Sequence, residues 1–88
     1  NSFLRTEAIK IHGTDCMACG FNFEVKYGVW GAGYIEVHHI IPLSQKSERS
    51  ETDPKSDLIV LCANCHRMVH RKSTMTLTIE ELQAKIRD

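Results

Sequence analysis

The spacing of apolar residues predicts a helix at each end of this 88-residue chain, with short strands between them. Residues 2–12 place their apolar side chains broadly on one helical face, with Ser2 as N-cap and Gly13 as the expected stop. Residues 78–81 match a capping box, which predicts a final helix that runs to about Ile86.

The middle of the chain predicts a ββα unit. Residues 34–38 alternate as in a strand, which Pro42 ends, and residues 44–56 are polar and predict a solvated loop. Residues 58–61 predict a short buried strand that leads into a helix over about 64–71. This order of elements favours a small α+β domain.

The segment 21–33 is rich in aromatic residues and glycine and predicts irregular structure. We expect its aromatic side chains to belong mainly to the core rather than to stack on bases, because so small a chain needs their apolar area. They are Phe21, Phe23, Tyr27 and Trp30.

Composition and charge exclude several classes of protein. With 42% hydrophobic and 25% charged residues the chain is not a disordered one. A net charge of zero argues against a generally basic nucleic-acid coat but allows a local basic site. No apolar run is long enough for a membrane helix, and no signal-peptide pattern opens the chain. Because it begins Asn1-Ser2 without Met, we expect a domain of a longer protein.

All four cysteines fall in two CxxC pairs, Cys16/Cys19 and Cys62/Cys65. Two such pairs separated by a middle segment are typical of a tetrahedral structural zinc site. The alternatives are two disulfides or a redox CxxC motif. Zinc binding contributes about 10–16 kcal/mol in small peptides, which would stabilise a domain with so small a core. Thiolate ligands indicate a reducing compartment, so we expect the cytoplasm.

Four of the five histidines form two motifs. His38 and His39 end the first predicted strand, and His66 and His70 share one face of the following helix. HxxxH on a helix is a common metal clip, and a third ligand from the facing strand would complete an open site. Adjacent strand residues point to opposite sides, so one of His38 and His39 would bind metal and the other would act in acid–base chemistry. The spacing does not decide which, and His12 receives no function.

Basic residues adjoin this helix: Arg67, Arg71 and Lys72. A metal site beside arginines suits a polyanionic substrate such as a nucleic acid. The alternative interpretation is a solvated basic face.

The runs IEVHHIIPLS (residues 35–44) and DLIVLCANCHRMVH (residues 57–70), with the cysteine pairs, resemble the HNH nuclease family. The most similar branch contains paired cysteines and includes the McrA-like restriction endonucleases. The resemblance covers residues 14–72 as the motif-bearing core, flanked by an N-terminal helix in 1–13 and a C-terminal helix in 73–88. It implies a ββα-metal (His-Me finger) fold and metal-dependent cleavage of DNA phosphodiester bonds.

By position, the resemblance makes His39 the general base and His38, His66 and His70 the ligands of a catalytic divalent ion. The family has Asn where this chain has Asp57. A carboxylate can also accept a hydrogen bond from His39 and hold its tautomer, so we assign Asp57 that role.

The resemblance also implies partners and cofactors. We expect DNA as substrate, structural Zn²⁺, and one catalytic ion among Mg²⁺, Mn²⁺, Ni²⁺ and Zn²⁺, with three imidazoles favouring the softer ions. We expect the cleavage module of a restriction-type enzyme, with modified DNA as one class of target and a specificity domain in the same full-length chain. Cutting of both strands by a one-site domain would favour a homodimer. The alternative is a non-catalytic zinc module that binds DNA or protein.

Overall fold

A computed structural model of the protein describes residues 2–40 and 51–87. Two strands, β1 (Glu36–His39) and β2 (Leu58–Leu61), pair in antiparallel orientation. The described helices are α1 (Ser2–His12), α2 (Phe23–Tyr27), α3 (Ala63–Val69) and α4 (Ile79–Lys85), with a 3₁₀ helix at Gly28–Gly31. The predicted α+β class and the ββα order are confirmed. Pro42 and residues 44–50 of the predicted loop lie outside the described residues.

Strand β2 lies at the centre of the core, and all four of its residues are buried. Helices α1 and α3 both pack on the two-stranded sheet, which explains why β2 is apolar at every position instead of alternating. The register places His39 opposite Leu58 and Glu36 opposite Leu61. Strand β1 begins two residues later than predicted, because the backbone N–H of Tyr34 donates to Gly31 in the turn before it.

Helix α1 has the predicted bounds and covers the sheet with its apolar face, on which Ala8 is fully buried. Gly13 ends the helix as predicted: it has a φ of 81°, and its N–H donates to the Ile9 carbonyl at 2.8 Å. At the last residue of the helix, Nε2 of His12 lies 2.9 Å from the carbonyl oxygen of Pro54. The end of α1 therefore contacts the segment that leads into β2.

Helices α3 and α4 both begin at a side-chain cap. Sγ of Cys62 accepts the Cys65 N–H at the start of α3, so the second cysteine pair is itself the helix cap. The predicted capping box of α4 is present, with Thr78 and Glu81 each accepting the other's backbone N–H at 3.0 and 2.8 Å. Leu82 of α4 reaches the core.

The expectation for the aromatic segment is wrong for its second half. Phe21 and Phe23 pack against the core, but Trp30 is 91% exposed and Tyr27 is also largely exposed. The segment folds into α2 and the 3₁₀ helix, which are each about one turn long. Phe23, at the start of α2, is the residue of these two helices that packs against the core. Gly31 approaches the Phe23 backbone so closely that a Cβ would clash, and this tight turn carries Trp30 outward.

Among the described residues, no helix is long and apolar enough to cross a lipid bilayer.

The cap of α4 gives a stability prediction. Thr78→Ala removes the hydroxyl that accepts the Glu81 N–H, so we expect the free energy of unfolding to fall by about 1 kcal/mol. Thr76→Ala, in the exposed segment before the cap, is the matched control and should leave it nearly unchanged. Chemical denaturation at a fixed zinc concentration measures both, and equal losses in the two variants would contradict the role of the cap.

Candidate active site and metal centres

The two cysteine pairs meet in one cluster. The Sγ atoms of Cys16, Cys19, Cys62 and Cys65 all lie within 4.8 Å of one another, and Cys19 and Cys62 are 3.8 Å apart. Zn–S bonds of about 2.3 Å in a tetrahedron require sulfur–sulfur distances of about 3.8 Å. All four thiols are free, and they converge on one point instead of forming two separate pairs. The cluster therefore fits a zinc ion better than two disulfides.

Backbone hydrogen bonds join the first cysteine pair to the sheet. The Met17 N–H donates to the Val60 carbonyl at 3.0 Å, and the Val60 N–H faces the Met17 sulfur at 3.4 Å. The Gly20 N–H donates to the Cys16 carbonyl at 2.8 Å, and the positive φ of Gly20, 83°, completes the turn. The knuckle formed by residues 16–20 is thus fixed to β2 beside the second cysteine pair.

The ionisation of these thiols also favours a bound cation. Burial raises the pKa of Cys16, but backbone N–H groups, foremost that of Cys62, outweigh burial and bring the pKa to about 7. Burial raises the pKa of Cys62 and that of Cys65. Cys16 therefore ionises more readily than Cys62 and Cys65, and a cation bound between the sulfurs would favour the thiolate form of all of them.

The structure brings together His38 from β1, His66 from α3 and His70 from the C-cap of that helix. One ring nitrogen from each lies within 4.8 Å of the others, and Nε2 of His70 is 3.2 Å from Nδ1 of His38. Metal–nitrogen bonds of about 2.0–2.1 Å in a tetrahedron separate the nitrogens by about 3.3 Å. The three imidazoles therefore have the donor set and spacing to hold a divalent ion, with open positions remaining.

Burial keeps one of these imidazoles neutral. His38 is 5% exposed, and burial, followed by repulsion from His70 and His66, lowers its pKa from 6.5 to about 4. At neutral pH its ring is therefore uncharged and has a nitrogen lone pair for a metal. His66 is partly exposed and His70 is exposed, so the cluster opens to solvent on the α3 side.

Glu36 belongs to this cluster, and the sequence interpretation missed it. Its Oε1 lies 2.9 Å from Nδ1 of His66, and its Oε2 accepts the Tyr34 hydroxyl at 3.1 Å. The hydrogen bond with His66 is the main reason why the pKa of Glu36 is lowered, against the effect of burial. The available signal was its position two residues before His38, which puts both side chains on one face of β1.

His39 points away from the three clustered histidines, as expected for the residue that follows His38 in a strand. It is half-buried in a cleft of about 380 Å³ between β1, the start of β2 and α1. The lining residues are Ser2, Leu4, Arg5, Val37, His39 and Leu58. His38 and His39 therefore line different clefts.

Asp57 lies directly before β2, next to the strand position that pairs with His39. Its carbonyl accepts the Ile40 N–H at 2.9 Å, which extends the pairing of the two strands. Its carboxylate oxygen Oδ2 accepts the Asp53 N–H at 2.9 Å and so caps the turn that enters β2. The assigned hydrogen bond to His39 stays a prediction.

The three basic residues divide between two surfaces. Arg67 and Arg71 line a cleft of about 520 Å³ with Glu36, His66 and His70. Lys72 lines the neighbouring apolar groove between α3 and α4, which Arg71 also borders. All three side chains are exposed, and the two arginines are the ones that adjoin the histidine cluster.

Comparison with known proteins gives matches over most of the chain. A family model described as HNH endonuclease matches residues 16–72. The chain is 38% identical over 71 residues to the Type IV methyl-directed restriction enzyme EcoKMcrA of Escherichia coli (strain K12). This match covers 81% of the chain and 24% of the relative, so the chain spans about a quarter of that protein. No solved structure matches the chain significantly.

Proposed function

Because this chain belongs to the HNH endonuclease family, we propose that it hydrolyses DNA phosphodiester bonds with a divalent metal ion. The observation that carries the proposal is the convergence of His38, His66 and His70, with Arg67 and Arg71 beside them in one cleft. An open imidazole site bordered by guanidinium groups suits a phosphodiester, which is a ligand for both metal ions and arginine.

The three clustered histidines would hold the ion, and His39 would act on the water. A neutral His39 accepts a proton from the attacking water, a contribution of about 10²–10⁴-fold to the rate. A divalent ion bound by the cluster would stabilise the charge on the phosphate oxygens and on the leaving oxygen. The division of His38 and His39 between the two faces of β1 supports this assignment of ligand and base.

Asp57 would orient the general base, and the basic residues would position the DNA. Asp57 would hold the tautomer of His39 from the neighbouring strand end, while one of its oxygens caps the turn. Arg67 and Arg71 would bind phosphates next to the metal, and Lys72, beyond the end of α3, would bind the DNA backbone. The localised positive charge makes such binding compatible with a net charge of zero.

The protein context is part of the proposal. The chain spans 24% of a relative that is named as a methyl-directed restriction enzyme, so we propose that it is the cleavage module of a larger restriction protein with a separate specificity domain. Modified DNA is then the proposed target class. Thiolate zinc ligands suit the reducing cytoplasm, and a homodimer would supply one active site for each DNA strand.

The first experiment measures nicking of supercoiled plasmid with and without a chelator. We expect His39→Ala to keep the fold and metals but to lose at least about 10²-fold in rate, because no other group takes the proton. His38→Ala should instead weaken binding of the catalytic ion, so added metal restores part of its activity. The control is His12→Gln, which keeps a donor for Pro54 outside the site and should nick normally.

Two results would contradict the assignment. An exchange of the two phenotypes would make His38 the base and His39 the ligand. If the wild-type protein bound DNA but never nicked it with any divalent ion, the non-catalytic zinc module would be the better account.

The second prediction concerns the cysteine cluster. We expect one tightly held zinc per chain, because four sulfurs converge at tetrahedral spacing. Cys65→Ser should lose this ion and the folded structure, whereas His70→Ala, which alters only the histidine cluster, should keep the ion. Elemental analysis of reduced, dialysed protein decides this, and a folded wild-type protein free of zinc would refute the site.

The third prediction concerns Asp57. Asp57→Asn should retain measurable nicking, because an amide oxygen can still accept from His39, whereas Asp57→Ala should lose about 10–100-fold. Asp53→Ala is the matched control, since its carboxylate caps the Lys55 N–H in the same turn. Similar activity in the two alanine variants would show that Asp57 serves the turn alone.

A further inference from the structure

A chain of contacts runs from Tyr34 to the histidine cluster. The Tyr34 hydroxyl donates to Oε2 of Glu36 at 3.1 Å, and Oε1 of the same carboxylate lies 2.9 Å from Nδ1 of His66. Each carboxylate oxygen thus has its own partner. The Tyr34 bond thereby restrains the side chain of Glu36 in the orientation that directs the other oxygen at His66.

The contact between Glu36 and His66 selects a tautomer. A carboxylate beside Nδ1 keeps a proton on that nitrogen and leaves Nε2 with a free lone pair. A metal bound with His38 and His70 needs that lone pair. If the proton moved to Nε2, His66 could not bind the ion without first losing it.

Tyr34 is itself held by contacts outside the cluster. Its ring packs edge-to-face on Phe23, with ring centroids 4.8 Å apart and an angle of 88° between the planes. The Arg5 guanidinium lies 5.9 Å from the ring centroid and also donates to the Ile35 carbonyl at 3.1 Å. Helix α1 and the aromatic segment therefore both fix the position of the Tyr34 hydroxyl.

We propose that Tyr34 is a positioning residue that, through Glu36, sets the metal-binding nitrogen of His66. The inference rests on the proposed function in that His66 is taken as a metal ligand. It assigns a role to Tyr34 that goes beyond packing. A phenyl ring alone would make the contacts with Phe23 and Arg5, whereas the hydrogen bond to Glu36 requires the hydroxyl.

The test compares Tyr34→Phe with wild type in protein that holds zinc at the cysteines and no ion at the histidines. Long-range ¹H–¹⁵N spectra of the imidazole rings report which nitrogen of His66 is protonated. We expect mainly Nδ1–H in wild type and a mixture of tautomers in Tyr34→Phe. The affinity for Co²⁺, followed by its absorption bands, should fall about 3- to 10-fold, the effect of one hydrogen bond.

Variants of Glu36 test the next contact. Glu36→Ala should lower Co²⁺ affinity by about 10–100-fold, the usual effect of removing a partner of a ligating histidine. Glu36→Gln keeps an oxygen that can accept from Nδ1 and should restore part of that loss. A purely structural role for Glu36 would give no such rescue of the tautomer.

Tyr27→Phe is the matched control. Tyr27 stacks on Phe23 at a centroid distance of 6.3 Å, and among the described residues its hydroxyl has no hydrogen bond. Its removal should leave tautomer and affinity unchanged. If Tyr34→Phe behaved as Tyr27→Phe does, the proposal would be overturned.

Neither readout needs DNA, so the outcomes separate the two proposals. A wild-type protein that nicks plasmid while Tyr34→Phe keeps the wild-type tautomer and Co²⁺ affinity refutes the role of Tyr34 alone. A shifted tautomer in Tyr34→Phe, together with a wild type that never nicks, supports that role and refutes the nuclease. Equal zinc content and thermal unfolding of the variants confirm that the fold is intact.

Discussion

The structure depends on the convergence of four cysteine sulfurs from two segments that are distant in sequence. Four thiols within 4.8 Å of one another, three of them buried, cannot all ionise unless a cation offsets their repulsion. A single divalent ion would therefore join the knuckle after α1 to the junction of β2 and α3. In a domain whose core is one four-residue strand and a few surrounding side chains, this link replaces apolar area that the chain lacks.

The same link determines where the chemistry lies. Cys62 caps α3 and Cys65 lies in its first turn, so the sulfur cluster sets the direction and rotation of the helix. His66 follows Cys65 directly, and His70 lies one turn farther on at the C-cap of the helix, where both rings contact the ring of His38. Strand pairing then puts His39 on the other face of β1. The cysteine cluster and the proposed catalytic groups thus share three short elements, which explains how so small a domain can carry two candidate metal sites.

The sequence predicted those parts of the fold and site that arise from local rules. Paired cysteines, HxxxH on a helix and the capping box of α4 each have a fixed spacing, and the structure shows the groups together. The sequence interpretation missed Glu36 because a single carboxylate in a strand forms no motif, and only the position of α3 reveals that His66 is its partner. The exposure of Trp30 was missed because a tight approach at Gly31, and not hydrophobicity, decides where that ring points.

The central claim is that the cysteine-held ion organises the histidine site. The most direct measurement is a chelator titration of protein without a second metal, followed by zinc release, by amide exchange in β2 and by the imidazole resonances of His38, His66 and His70. The account predicts that all three signals change at one chelator concentration, because loss of the ion frees α3. Histidine resonances and β2 protection that persist after the cysteines have lost their zinc would contradict it.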